Sequence, residues 1–408
     1  MFMQNSNLMP LVSKKVAIVT NNTNCERHVQ YYSTLERYFI ANNWIICDSF
    51  DVDMVVISGC GFHNLMLEKV KNLLLELESI GFANNVVMTG CIPTTHEEEW
   101  KRSFSGTLVK LNFETTIDNL INAVVPYKDV NLTNIIRPHK KSEITEESKI
   151  FHIKISNGCI RKCTFCVIYK AKGKHISVPA EEIKAQFIKG IDDGYSKFYL
   201  MGEDTFAYGT DSGTTIIELI ESLLLIQPNV EFNFSNMDHK WLVEYIDDII
   251  SLCKRGAIKN LHLGMQHTND ELLIRMGRGG TDHKKTYDAI VKLKTACPYL
   301  FLGVDIIVGF PGETETMFKE LLEFFKNEKY IDNVQHNGYS AVEGAPSSSF
   351  SEKLQDKVII SRFVQMTKVL ESRSPFNRLQ TETNFDVTYQ ETKDNDYSFV
   401  KDSFLDQC

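Results

Sequence analysis

The 408-residue chain has no apolar run approaching the ~20 residues needed to cross a bilayer. Its first stretch, Met1 to Lys15, also lacks a cationic segment followed by an apolar one. Neither a membrane partner nor export is therefore expected, and the reading is cytoplasmic. An excess of basic residues is missing too, because 44 Lys and Arg against 53 Asp and Glu leave a formal charge of −9. Affinity for a long phosphate backbone comes from Lys and Arg displacing counterions, so a surface built throughout for that task is not expected, although a local basic patch is. Ten cysteines in a reducing compartment do not read as a disulfide framework but as metal ligands with some buried thiols. Disorder is excluded by a hydrophobic content of 43%, and the length suffices for two or three domains with their own cores.

Against those absences stands one dense run, Gly158-Cys159-Ile160-Arg161-Lys162-Cys163-Thr164-Phe165-Cys166, a C-x3-C-x2-C loop that follows an apolar strand. Four thiolates would close a structural zinc or an electron-transfer cluster, whereas three leave one iron of a 4Fe-4S cluster open to a substrate. The competing reading is a zinc site completed by His152 or His175.

Upstream, Val16 to Thr20, Met54 to Ile57 and Val86 to Met88 are short β-prone runs separated by helical stretches near His28 to Ala41 and Leu67 to Ile80. Alternation of this kind implies right-handed β-α-β crossovers and a Rossmann-like parallel sheet, with ligands beyond the carboxyl ends of the strands. Cys25, Cys60 and Cys91 each fall within five residues after one of these strands, so their thiolates are expected along one sheet edge, with Gly59 and Gly90 making the turns. Cys47 is read as core packing inside its own strand. A helix is expected over Ile117 to Val125, and the polar segment 131–149 reads as a linker.

Downstream the pattern repeats six times. Strands are expected at Phe151 to Ile155, Lys197 to Met201, Val230 to Phe234, Asn260 to Gly264, Phe301 to Val308 and Val334 to Tyr339. Helices are expected at Ala180 to Asp192, Thr215 to Ile226, Lys240 to Leu252, Asp270 to Met276, His283 to Lys294 and Thr314 to Asn327. The fold class is α/β, with the N-terminal sheet followed by a partial (β/α)6 barrel whose chemistry lies at the strand C-terminal ends. The domains are drawn at 1–130, linker 131–149, barrel 150–345, C-terminal helix 346–373 and a short tail 374–408.

Several runs at those strand ends carry a family resemblance. They are Asn157 to Cys166, Leu200 to Asp211, His262 to His267, Met276-Gly277-Arg278 and Asp305 to Thr314. In that order, and with Cys25, Cys60 and Cys91 before them, they resemble the radical S-adenosylmethionine (SAM) methylthiotransferases. The resemblance implies two 4Fe-4S clusters, one on each cysteine triad, with SAM bound at the open iron of the cluster on Cys159, Cys163 and Cys166. Reductive cleavage of SAM there would give a 5′-deoxyadenosyl radical, and the cluster on Cys25, Cys60 and Cys91 would carry an exogenous sulfide or persulfide sulfur for methylation and transfer. It further implies that Phe165, Gly202, Glu203, Gln266 and Arg278 lie around SAM, that Val308, Gly309, Phe310 and Pro311 back its adenine, and that flavodoxin or ferredoxin supplies electrons. His262 and His267 are read as barrel packing.

Two departures bear on the substrate. Relatives usually continue into a TRAM domain that grips RNA or protein, whereas the 374–408 tail has too little apolar material for a core. Glu203-Asp204-Thr205 resembles the protein-modifying branch, where Gln-Asp-Thr stands, more than the tRNA branch with Gln-Asn-Val. The expected substrate is therefore a peptide or protein residue, including a ribosomally made precursor peptide. The alternatives are a tRNA adenosine, a peptide modification in which the second cluster only transfers electrons, and a non-catalytic cluster protein. Arg161, Lys162, Lys170, Lys172 and Lys174 are read as a basic patch steering an anionic substrate.

Overall fold

The computed structural model describes residues 14–21, 26–61, 64–82, 85–111, 115–130, 150–234 and 236–373, which form two compact units. Cys25, the expected linker 131–149 and the tail 374–408 lie outside the described residues.

The first unit is a five-stranded parallel sheet of β1 (Lys15–Thr20), β2 (Ile45–Ile46), β3 (Met54–Gly59), β4 (Val86–Gly90) and β5 (Thr107–Leu108) in the order β2-β1-β3-β4-β5. Because successive side chains alternate faces, each strand feeds two cores. Val16, Ile18 and Val56 pack with Leu35, Tyr38 and Phe39 of helix Glu26–Ala41 on one face. Ala17, Val19, Val55 and Ile57 meet Leu67, Val70, Leu73 and Leu77 of helix Asn64–Ser79 on the other. The strand order reverses between β1 and β3, the point where open parallel sheets leave a crevice at their carboxyl edge. Two expectations change here. Cys47 follows β2 and is half-buried on this edge strand, outside the core, since β2 spans only Ile45–Ile46. The helix expected to reach Val125 runs only over Thr115–Ile121, because Asn122 turns into the left-handed region at φ 52°.

The second unit carries six longer parallel strands with helices between them: β6 (Phe151–Lys154), β9 (Lys197–Met201), β10 (Glu231–Phe234), β12 (Asn260–Gln266), β13 (Phe301–Val308) and β14 (Asn333–Gly338). Two-residue strands fill the gaps: β7 (Ser156–Asn157), β8 (Ile176–Ser177) and β11 (Met237–Asp238). The sheet orders are β10-β9-β6 and β11-β12-β13-β14, and an isolated bridge, Phe232 to Ile258, ties β10 to the residues before β12. This is the partial barrel expected from the sequence, with the α/β class as read. Its core is aromatic at the β6-β9-β10 side, where Phe187 packs 4.5 Å from Phe198 and 5.9 Å from Phe232. The helix expected over Lys240 to Leu252 is two helices, His239–Glu244 and Ile246–Lys254, broken at Tyr245, whose ring stacks on Trp241. Helix Asp356–Glu371 closes the unit by packing Phe363, Met366 and Leu370 into the barrel core. No helix among the described residues is long and apolar enough to cross a membrane.

Candidate functional site

In the first unit the sheet register sets the geometry. Gly59 and Gly90 are directly paired, so the next residues, Cys60 and Cys91, leave adjacent strands side by side at the carboxyl edge. Gly90 has φ 87°, and a Cβ there would lie 2.6 Å from the Gly59 carbonyl oxygen, so only glycine allows the two turns to approach. The Cys91 N–H donates to that carbonyl at 2.8 Å. Asn21, just past β1, fixes the Cys60 turn from the other side. Its carboxamide oxygen accepts from the Cys60 N–H at 2.7 Å, and its nitrogen donates to the carbonyls of Cys60 and Met66 at 3.1 and 2.7 Å. Cys60 is buried and Cys91 half-buried. Sequence reasoning missed Asn21; its signal was a polar residue immediately after an apolar strand on the cysteine-bearing edge.

In the second unit the C-x3-C-x2-C loop hangs from the β7-β8 hairpin. Gly158, at φ 73°, passes so close to the Lys174 carbonyl that any Cβ would overlap it, and the Cys159 N–H donates to the Gly173 carbonyl at 3.2 Å. Thr164 ties the middle of the loop to the chain before Arg278: its N–H donates to the Met276 carbonyl at 2.9 Å and its hydroxyl to the Arg275 carbonyl at 3.0 Å. Each sulfur receives an N–H. Arg161 N lies 3.4 Å from Cys159 Sγ, Ile168 N lies 3.4 Å from Cys166 Sγ, and Arg278 Nη1 lies 3.5 Å from Cys163 Sγ.

These donors favour thiolates, which is the form that ligates iron. Burial acts the other way and pushes the Cys159 thiol up to about 12, with the Arg161 N–H opposing it. A thiolate there needs a compensating cation, which bound iron supplies. Three thiols on one short loop leave one position of a metal group without a protein ligand, which suits a cluster with an open iron better than a closed zinc site. The donor set fits a 4Fe-4S cluster.

Around the loop, Gly202 follows β9 where any Cβ would collide with Ser156 Oγ, and that buried hydroxyl has no protein hydrogen-bond partner. A buried hydroxyl left in this way is open to a hydrogen bond with a ligand atom or an ordered water. The Glu203 side chain is 3% exposed and pairs with Lys172 at 2.6 Å. Gln266 ends β12 after a register shift and takes φ 67°, a conformation that costs a non-glycine residue energy and is typical of ligand sites. Val308, Gly309, Phe310 and Pro311 leave the neighbouring strand β13 and are all buried. Phe165 packs into the apolar cluster of Leu272, Met276, Phe310 and Tyr339, anchoring the cysteine loop beside the Gly309–Pro311 turn.

The basic patch changes composition. Arg161 is bound to Asp238 at 2.8 Å and to the Gly279 carbonyl at 2.8 Å, and Lys172 is spent on Glu203, so neither steers a substrate. Lys162, Lys170 and Lys174 are exposed, with Lys162 over the Tyr169 ring. His262 pairs with Asp305 at 3.0 Å across β12 and β13. His267 is wholly buried and meets Glu313 at 3.2 Å. His175 contacts the Ser177 hydroxyl at 3.2 Å, and burial lowers its pKa.

Three acids that support the site were not singled out from the sequence. Glu313 accepts from the Gly309 N–H and from Arg362 of the C-terminal helix at 2.6 Å, pinning the Gly309–Pro311 turn. Asp238 holds both Arg161 and Arg278. Asp204 accepts from Trp241 Nε1 at 2.9 Å and from the Asp238 N–H at 3.2 Å, and burial pushes its carboxyl up to about 6. The available signal for Asp204 and Glu313 was an acid in the loop that follows a β-prone run.

The chain is similar to known proteins in sequence and in fold. Residues 153–325 match the profile of the Radical SAM superfamily. The chain is 28% identical over 381 residues to the ribosomal protein uS12 methylthiotransferase RimO of Vibrio vulnificus, covering 88% of this chain and 77% of that one. The protein of the same name from Afipia carboxidovorans is 29% identical over 326 residues, covering 76% and 71%. Among solved structures, the radical S-adenosylmethionine methyltransferase TsrM from Kitasatospora setae superposes with a TM-score of 0.57 at 12% identity, over 82% of this chain and 77% of that one, a likeness of fold.

Proposed function

We propose that this chain is a radical SAM methylthiotransferase that attaches a methylthio group to a side chain of a protein, with a segment of ribosomal protein uS12 as the first candidate. The observation that carries the reading is the likeness to uS12 methylthiotransferases over 88% of the chain, which is more than the barrel unit alone could supply. An acidic chain supports it, since a tRNA grip relies on many phosphate contacts.

Enzymes of this family use SAM and 4Fe-4S clusters, which supply hydrogen-atom abstraction at an unactivated C–H and the methylthio sulfur. The residues of this chain hold and orient those groups. Cys159, Cys163 and Cys166 would ligate one cluster, their sulfurs already aimed by N–H donors. Cys60 and Cys91, with Cys25, would ligate the other. Gly202 leaves space beside the unpaired Ser156 hydroxyl, Glu203 offers a buried carboxylate to an ammonium group, and Val308 to Pro311 form an apolar wall suited to an adenine.

The test is a competition. Reconstituted, reduced protein is given SAM and sulfide with either uS12 or bulk tRNA, and both are read by mass spectrometry. A methylthio increment on uS12 supports the proposal. An increment on tRNA alone replaces it with the RNA reading, which the exposed Lys162, Lys170 and Lys174 would then serve.

A further inference from the structure

Arg278 is a cation placed at a cysteine sulfur inside the barrel. Its residue is 7% exposed, and a buried guanidinium is tolerated only when paired and hydrogen-bonded. The chain reaches the site because Gly277, at φ 73°, lies against the cysteine loop, where an added Cβ would be 3.0 Å from the Lys162 carbonyl and 3.3 Å from Cys163 Cα. From there Arg278 donates to Cys163 Sγ at 3.5 Å and to the Gly264 carbonyl, and it pairs with Asp238 at 3.1 Å. Asp238 is shared, because Arg161 binds its other oxygen at 2.8 Å and is itself tied to the Gly279 carbonyl. Two guanidinium groups therefore surround one carboxylate whose side chain is 1% exposed.

Asp204, which accepts from the Asp238 N–H, adds a second buried acid, so two arginines face two carboxylates and it is the Arg278 N–H, not a net charge, that reaches the Cys163 sulfur. An N–H donated to a ligating sulfur by a charged group stabilises the extra electron of a reduced cluster, and both burial and hydrogen bonding to sulfur are known levers on cluster potential. We infer that Arg278 is a positioning residue that sets the reduction potential of the cluster on Cys159, Cys163 and Cys166 through the Cys163 sulfur, with Asp238 and Arg161 fixing how much of its charge the cluster feels. The role rests on the cluster assignment made above.

The experiment uses the full chain with Cys25, Cys60 and Cys91 changed to alanine, so that one cluster reports. Iron content is measured first, and the midpoint potential is then followed by electron paramagnetic resonance during titration with dithionite. Arg278→Gln removes charge and donor and is expected to disfavour the reduced cluster at least tenfold, a shift of about 59 mV to more negative potential. Arg278→Lys keeps the charge and should recover most of that shift. Asp238→Asn removes the opposing charge and should move the midpoint the other way, to more positive potential.

A purely structural clamp would not give opposite signs. Iron-replete Arg278→Gln and Asp238→Asn variants with unmoved midpoints, or with shifts of the same sign, overturn the inference. If Arg278→Gln retains no iron, Asp238→Asn decides alone: a positive shift upholds the role, and any other result refutes it. Absence of iron from the parent chain would instead refute the cluster assignment, so the two failures are distinguishable.

Discussion

The two cysteine sites solve one problem in opposite ways. In the barrel unit all three thiols sit within eight residues of one loop, and the fold contributes braces around it: Arg278 at Cys163, Met276 at Thr164, and Phe310 packed with Phe165. In the sheet unit Cys60 and Cys91 are thirty-one positions apart and meet only because Gly59 and Gly90 are in register. The braces differ in kind as well. The barrel buries its charges in pairs such as Glu313–Arg362 and Asp238–Arg278, while the sheet unit carries pairs such as Lys71–Glu99 and Lys101–Glu97 at its surface. A local loop can be held rigid by buried ion pairs reaching it from several strands, whereas ligands on separate strands are positioned by the sheet itself, through register and tight turns.

The largest effects should come from removing thiols. Cys163→Ala is expected to abolish formation of 5′-deoxyadenosine from SAM and to leave the iron of the sheet unit in place. Changing Cys25, Cys60 and Cys91 together should remove about half of the iron, preserve 5′-deoxyadenosine formation and eliminate methylthiolated product. Persistence of that product would break the division between the two sites.

Next in size is the buried pair. Arg362→Met strands the Glu313 carboxylate between His267 and the Gly309 N–H and should cost about 3–5 kcal/mol, read as lost hydrogen-exchange protection in β13 and β14. Lys71→Met in the sheet unit breaks an exposed pair with Glu99 and should cost less than about 1 kcal/mol. Equal costs would contradict the contrast drawn between buried and surface braces.

A pH experiment sharpens the same contrast. His336 is buried against Phe363, contacts the Thr367 hydroxyl at 2.8 Å, and is held down to about 4 by burial, from an ordinary value of 6.5. With the folded pKa depressed, its stabilising contribution is complete above about 6.5 and is lost as pH falls toward 4. That contribution is of order 3 kcal/mol and belongs to the barrel, where the C-terminal helix meets β14. Denaturant melts from pH 7 to pH 4 should show this decline, and His336→Gln should flatten it. An unchanged slope in the variant would remove His336 as the cause.

A change confined to one site is expected in the turns. Gly90→Ala forces a Cβ onto the Gly59 backbone at positive φ and should cost about 2 kcal/mol while loosening the Cys60–Cys91 edge. Iron bound to the sheet unit should fall, and barrel iron should hold. Full retention of iron by the variant would mean that register alone suffices.

Much of this was legible in the residues. The helix Ala180–Asp192 and the strands Lys197–Met201 and Phe301–Val308 occupy the expected positions, since their apolar periodicity is bounded by clear breaks. Less legible was the break at Tyr245, where stacking on Trp241 and the acids at the start of the next helix outweigh a continuous helical pattern. Least legible were the charges. Lys172 and Arg161 read as a surface patch because their acids, Glu203 and Asp238, lie 31 and 77 positions away and come close only in the folded barrel.

By itself, then, the sequence determined the three-thiol loop, the alternation of strands and helices, and the glycines beside the cysteines. These are properties set within one or two turns of chain, where spacing alone fixes which atoms can meet. The tertiary structure decided which cysteines of the sheet unit become neighbours, which cations are consumed by carboxylates, and that Arg278 ends on the Cys163 sulfur across 115 residues. The reason is physical. Sheet register and the cost of burying an unpaired charge act only once distant strands have come together, and neither leaves a periodic trace along the chain.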